Sequence, residues 1–358
     1  MAERAASEDS EVESRQTPRR SHLPVRPQWL ARRAEPVLEP GLPIIDPHHH
    51  LWDHPGNRYL LQDFLADAGS GHDIRATVFI ECGSMYRPDG DPLLRPIGET
   101  EFANGAAAMA ASGLYGRCRV AAGLVAYADL LAGDRAGAVL EAQIAAGNGR
   151  VRGIRNISAW HKDPAARGSL ADPPPGMLLD ASFQRGFSHL RRLGLAFDAW
   201  MYHTQLSELC VLAARFPDTT IVLNHVGGPI GIGPYANQRD QVFQAWRASI
   251  GALAAYPNVH LKVGGFGMRL FGFGFQDHEL PPLSEALAPA WRPYVDTAVQ
   301  AFGTDRCMFE SNFPVDKAVC SYASVWNTFK RLTAGWSASE RADVFSGTAC
   351  RVYRLALD

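Results

Sequence analysis

Three consecutive histidines, His48, His49 and His50, end the run IIDPHHHLWD at residues 44–53. Imidazole titrates near neutrality and is the commonest protein metal ligand. Side chains of an extended segment alternate faces, so Asp46, His48 and His50 should share one side, and Pro47 and His49 the other. Two imidazoles spaced i, i+2 at a strand end can grip one metal ion. An isolated triplet is equally compatible with a polar surface turn, so partners elsewhere in the chain must decide. Candidates stand at the ends of other apolar runs. Glu81 closes one, Arg155 and Asn156 lie in VRGIRNIS, and His203 follows LAFDAWMY. Asn224 and His225 close TIVLNHV, and Glu310, Ser311 and Asn312 close RCMFESN.

Something must bring these ends together. From Ile44 onward, eight β-rich runs alternate with helix-compatible stretches, the signature of βα units on a parallel sheet. The runs are Ile44–His50, Ala76–Gly83, Val120–Ala126, Val151–Ser158, Leu195–Tyr202, Thr220–Val226, Val259–Val263 and Arg306–Ser311. Helices are expected over 101–111, 182–193, 204–215, 241–255, 293–302, 322–332 and 338–355. Eight such units make a (β/α)8 TIM barrel, a fold of ~250 residues whose strand C-termini meet at one catalytic mouth. A doubly wound nucleotide-binding sheet would need phosphate-cradling glycines after its first strand, where this chain has histidines. The later cluster GGPIGIG, residues 227–233, has the wrong order for that fingerprint.

The chain has 358 residues, 46% of them hydrophobic, enough for one large barrel. Residues 1–40 are rich in Arg, Glu, Ser and Pro and read as a polar, disordered or loosely draped leader; residues 41–358 form the barrel. A net charge of -2 gives no basic field for nucleic acid or anionic membrane, which makes a small-molecule substrate the default partner. Six scattered cysteines without a Cys-x-x-Cys pair, and no apolar segment long enough to span a bilayer, predict a cytoplasmic protein. A homo-oligomer is compatible with all of this.

The run Ile45–Trp52, the run NHVGGP at 224–229 and the run RCMFESNFP at 306–314 together resemble the amidohydrolase superfamily. They are most similar to its amidohydrolase-2 branch of lactonases and decarboxylases. The resemblance implies a (β/α)8 barrel with His48 and His50 as first-strand metal ligands. It also implies His225 as the group polarising the substrate carbonyl and His203 as a fifth-strand ligand. Strand four lacks the lysine that bridges two metals in binuclear members, so one divalent ion, zinc or manganese, is expected at most, held weakly or absent. The family's eighth-strand Ser-Asp is here Ser311-Asn312, and an amide is neither an anion nor a base.

A carboxylate could replace that Asp from Glu310, Glu81 or Asp316, and the sequence does not separate them. Each also has a structural use, Glu81 or Glu310 as a buried partner for Arg155 and Asp316 as a helix cap. Arg155, Arg87 on the long polar loop at 84–102, and Trp52 are candidates for substrate contact. The resemblance implies a hydrolase that opens a small anionic or sugar-derived lactone with activated water. The alternatives are a non-oxidative decarboxylase or C–C hydrolase on the same scaffold, and a non-catalytic binding relative.

Overall fold

The β-branched runs pair in chain order. The computed structural model describes residues 22–169 and 171–356. Its main sheet has eight parallel strands: β1 (Pro43–His49), β4 (Asp73–Ile80), β5 (Arg119–Ala126), β6 (Val151–Ile157), β7 (Ala196–Trp200), β8 (Ile221–Leu223), β9 (Val259–Val263) and β10 (Cys307–Phe309). A two-stranded hairpin, β2 (Trp52–His54) and β3 (Asn57–Tyr59), follows β1 immediately. Helices intervene between successive barrel strands. The chain is therefore a (β/α)8 barrel. The sheet closes between β10 and β1 through a single parallel bridge, His49 to Phe313, flanked by His50 N donating to Phe313 O at 2.8 Å and Asn312 N to His48 O at 3.0 Å.

Two apolar layers hold it. Ile45, Val78, Ile80, Val125, Val222 and Met308 fill the interior, which Val352 and Tyr353 of the helix Thr348–Tyr353 plug from below. The other faces of the strands pack against the helices, with Phe197, Leu223, Leu261 and Phe309 in that outer layer. Residues opposite in periodicity thus separate cleanly, as strand alternation requires.

Several helices match the sequence reading closely, as with 322–332 and 182–193, observed as Tyr322–Leu332 and Ala181–Leu193. The stretch expected as one helix over 338–355 is instead broken by a π-turn at Asp343–Gly347. The helix expected over 293–302 begins earlier, at Ser284, and carries Pro289 and Pro293 inside it. Of the leader expected over residues 1–40, residues 1–21 lie outside the described part. From His22 the chain lies along the barrel, with Trp29 buried and Asn327 of the helix Tyr322–Leu332 bonding both Pro36 O and Leu38 N. Among the described residues no helix is long and apolar enough to cross a membrane, and all six cysteines are unpaired.

Candidate active site

Strict alternation fails at one place in β1. The register against β4 shifts between Asp46 and His49, so the chain bulges at Pro47, a residue that has no N–H to give the ladder. Ile45 points into the barrel and Asp46 outward, where it accepts from Ser311 Oγ at 2.5 Å, Ser311 N at 3.0 Å and the Tyr322 hydroxyl at 3.0 Å. The expectation that Asp46 shares a side with His48 and His50 is therefore corrected: the bulge moves it to the outer face, where it clamps β1 to the residues after β10. Burial raises its carboxyl to about 6. His49 also faces outward, bonded to Thr77 at 2.8 Å and stacked on Phe64.

Beyond the bulge His48 and His50 turn inward. Nδ1 of His50 lies 2.8 Å from Ile80 O, which can only accept, so Nδ1 carries the proton and Nε2 is a lone pair on the cavity side. His225 meets Glu310: Nδ1 to Oε1 is 2.7 Å, and His225 N donates to the same oxygen at 3.2 Å. A carboxylate only accepts, so His225 likewise presents an unprotonated Nε2. His48 Nδ1 lies 2.8 Å from Oε2 of Glu310. That distance is short, yet His48 is neutral, the direction is poor and Oε2 has no hydrogen-bond partner of good geometry; the direction decides, because hydrogen bonds weaken steeply off axis. Burial, reinforced for His48 by Lys262 and for His50 by Arg155, pulls both pKa values well below the ordinary value; burial lowers His225 as well, against the pull of Glu310. All three imidazoles are neutral donors of lone pairs.

Close approach here depends on the glycines after β9. A Cβ on Gly265 would stand 2.5 Å from Nδ1 of His225, and one on Gly264 would collide with Glu310. His225 itself has φ 52° and Asn312 φ 54°, left-handed conformations uncommon outside glycine and recurrent at functional sites.

The cavity above these groups has a volume of about 490 Å³ and is lined by His50, Trp52, Arg155, Trp200, His225 and Asn312, among others. Arg155 donates through Nε to Glu81 Oε1 at 2.7 Å and through Nη2 to the Glu81 carbonyl, and its Nη1 comes within 3.4 Å of His48 Nε2. Glu81 is thus the buried partner of Arg155. Asn312 Nδ2 donates to Asp316 Oδ1 at 2.8 Å, and Gly267 N to Asp316 Oδ2 at 2.8 Å. Asp316 fixes the Asn312 amide so that its carbonyl oxygen is the end left for the cavity; burial raises Asp316 to about 8. Two sequence candidates lie elsewhere. Arg87 is exposed and pairs with Glu101 across the loop. His203 is buried with Nδ1 accepting from Ile230 N at 3.3 Å and its ring, like that of His161, against Tyr235, outside the group formed by His48, His225 and Glu310.

The sequence reading missed a second polar assembly just below. Lys262 on β9 donates to Asp198 on β7 at 2.7 Å, and Asp198 also accepts from Asn224 Nδ2 at 2.8 Å and from the Tyr353 hydroxyl at 3.0 Å. Lys262 Nζ is 3.4 Å from His48 Nδ1. The signal was present, since Lys262 in VHLKV and a lone Asp in AFDAW sit in largely apolar strands and must find partners when buried. Glu99, in the first turn of the helix Ile97–Ala111, folds back to accept from Cys82 N and Ser84 N, each at 2.9 Å, and burial beside Glu81 raises it to about 8.

His48, His225 and Glu310 offer donor atoms within 4.8 Å of one another. Two neutral imidazoles and one carboxylate are the donor set of many catalytic zinc sites, and the orphaned Oε2 of Glu310 is the oxygen such an ion would satisfy. The residues fit a single divalent metal.

Comparison with known proteins identifies the family. A family model described as amidohydrolase matches residues 45–355. An uncharacterised protein of Sinorhizobium fredii is 35% identical over 334 residues, covering 87% of this chain and 98% of that one. An L-fucono-1,5-lactonase of Burkholderia multivorans is 31% identical over 178 residues, a match spanning 49% of this chain and only 57% of that enzyme. A crystal structure of a zinc-bound amidohydrolase from Burkholderia multivorans superposes with a TM-score of 0.67 at 25% identity, covering 87% of this chain and 99% of that one. The chain accordingly belongs to the amidohydrolase family, in its amidohydrolase-2 branch, and is an enzyme of the hydrolase type.

Proposed function

We propose that the protein opens a small lactone, anionic or sugar-derived, by adding water across its ester C–O bond. The observation that carries this is the His225–Glu310 pair, 2.7 Å apart on the cavity floor with the imidazole facing the cavity. His225 Nε2 takes a proton from the attacking water, and Glu310 stabilises the imidazolium that forms. Arg155, which lines the cavity, stabilises the oxyanion by its charge. His225 then returns the proton to the ring oxygen as the C–O bond breaks, giving the hydroxy acid. Asn312 offers its carbonyl to a substrate hydroxyl.

A divalent ion held by His48, His225 and Glu310 would supply Lewis acidity toward the carbonyl and lower the pKa of a bound water, and His225 would then serve as a ligand in place of its role as base. Lys262, 3.4 Å from His48, weakens the hold of any cation there. Arg269 lines the cavity mouth, exposed, its guanidinium with no hydrogen bond or ion pair shown among the described residues, and suits an anionic substituent. Similarity over half the chain to L-fucono-1,5-lactonases supports a lactone rather than an amide.

The test is a panel of sugar-acid and carboxylated lactones, assayed by proton release with and without a chelator, alongside carboxylated aromatic acids assayed for CO2. Lactone hydrolysis abolished by His225→Ala is the expected result. CO2 release without lactone hydrolysis would replace the reading with a decarboxylase.

A further inference from the structure

The chain preceding the barrel lies outside the family match, which begins at residue 45, and yet it reaches the active-site cavity. His22, Leu23 and Pro24 line that cavity. The His22 ring lies flat on Trp52, with centroids 5.5 Å apart and planes inclined by 7°, and His50 stacks against the same indole at 5.8 Å and 22°. A continuous stack therefore runs from the pre-barrel segment to an imidazole facing the reacting centre. Burial, with the charges of His54 and Arg155 nearby, pulls His22 to about 4, so its ring is neutral and offers one donor and one acceptor.

The segment is fastened along its length. Arg26 caps the Trp29 ring at 4.0 Å, and the Trp29 indole donates to Glu279 O at 3.0 Å. Glu35 accepts from Ser284 N at 2.8 Å, and Lys330 donates to Leu38 O and Glu39 O, each at 2.8 Å. Anchors on the loop after β9 and on the helix Tyr322–Leu332 hold it as a strap across the barrel, with His22 at the mouth. A segment lacking such anchors would lose too much entropy on docking to define a pocket wall.

We propose that His22–Pro24 forms a wall of the substrate cavity, and that His22, stacked on Trp52, is a specificity-determining residue that restricts the site to compact ring lactones. The substrate class rests on the lactone reading above; the wall does not. A pocket of this size, walled by two stacked rings, accepts a substituted five- or six-membered ring and excludes long acyl chains.

Two full-length variants test it: His22→Ala, and Trp29→Ala, which loosens the strap from outside the cavity. For sugar-acid lactones, His22→Ala should raise KM about tenfold with kcat within about twofold, a loss of uniform binding. The ratio of activity on long-chain acyl lactones to compact ones should rise about tenfold, and Trp29→Ala should shift both in the same direction by less. Trp52 is 2% exposed, and its oxidation in hydroxyl-radical footprinting, read by mass spectrometry, should increase several-fold in both variants. Unchanged Trp52 protection in both variants overturns the wall. Unchanged KM and ratio in His22→Ala, on lactones that the wild type hydrolyses, overturn the specificity role. If the wild type opens no lactone, the functional reading fails and the footprint alone decides the wall.

Discussion

Two buried ionic assemblies sit one above the other in this barrel. In the lower one Asp198 is saturated: Lys262, Asn224 and Tyr353 all donate to it. In the upper one Glu310 has one oxygen bonded to His225 and the other without a well-directed donor, although Lys262 and a further imidazole, His48, lie close. Both are sealed from bulk water, so a missing partner is costly in either. A carboxylate with both oxygens bonded serves the fold, and the acceptor left over beside it is a neutral amide oxygen, Asn224 Oδ1. The unsaturated one retains binding capacity at the cavity floor, and the cost of leaving it unmet is the mark of a group reserved for a ligand, a metal or a water.

The sharpest way to break this comparison is to neutralise each carboxylate. Glu310→Gln removes the group that holds the His225 tautomer and its imidazolium; turnover should fall about 10²–10⁴-fold, while the urea midpoint changes little. If Glu310→Gln kept wild-type activity, the upper assembly would be structural like the lower. Lys262→Met should behave in the opposite manner. It strands Asp198 without its cation and costs about 3–5 kcal/mol by urea denaturation, with turnover per folded molecule much less affected. A second change, Asp198→Asn, should restore part of that stability.

A smaller effect is expected at Asn312. Asn312→Asp replaces the amide donor facing Asp316 at 2.8 Å with a second carboxyl. Like groups so close cannot both ionise easily. Stability should drop by about 1–3 kcal/mol, and lactone hydrolysis should slow. A gain in rate would instead identify position 312 as the place of the working base.

The gentlest probe is pH. His49, at about 3, and His72, His203 and His260, each at about 4, are depressed by burial from 6.5. Being neutral when folded, they contribute stability that is present above 6.5 and lost as pH falls toward 4. Asp46 is raised to about 6, and Glu99 and Asp316 to about 8, so they lose stability as pH climbs from their ordinary values through those points. The imidazoles prevail below 6.5, and above it the carboxyls dominate until about pH 8, where Lys330, lowered by burial to about 8, begins to titrate with the opposite sign. The urea midpoint should therefore peak near pH 6.5, and a midpoint still rising at pH 8 would contradict these assignments.

Much of the architecture was legible because it rests on short-range patterns. β-branched runs bounded by polar ends placed the strands within a few residues, and Val259–Val263 was read to the residue. His48, His50 and His225 were legible as strand-end polar groups. Pairing across the barrel was not. Glu310, Glu81 and Asp316 are equivalent in sequence and differ only in what stands opposite each: His225 on β8's end, Arg155 on β6, and the Asn312 amide. Lys262 and Asp198 escaped notice for the same reason, since each makes sense only beside the other. The bulge at Pro47 also defeated simple alternation, because register is a property of two strands.

The seam between β10 and β1, joined by a single bridge, runs directly beneath the reacting groups. His48, His50 and Asn312 take their positions from backbone bonds across that seam. Local breathing is cheapest where a ladder is shortest. On heating, the seam should part while the helices remain intact, so catalytic inactivation should precede the loss of helical circular dichroism. The enzyme's useful working temperature is then set by the zipper between its first and last barrel strands rather than by the melting of its core.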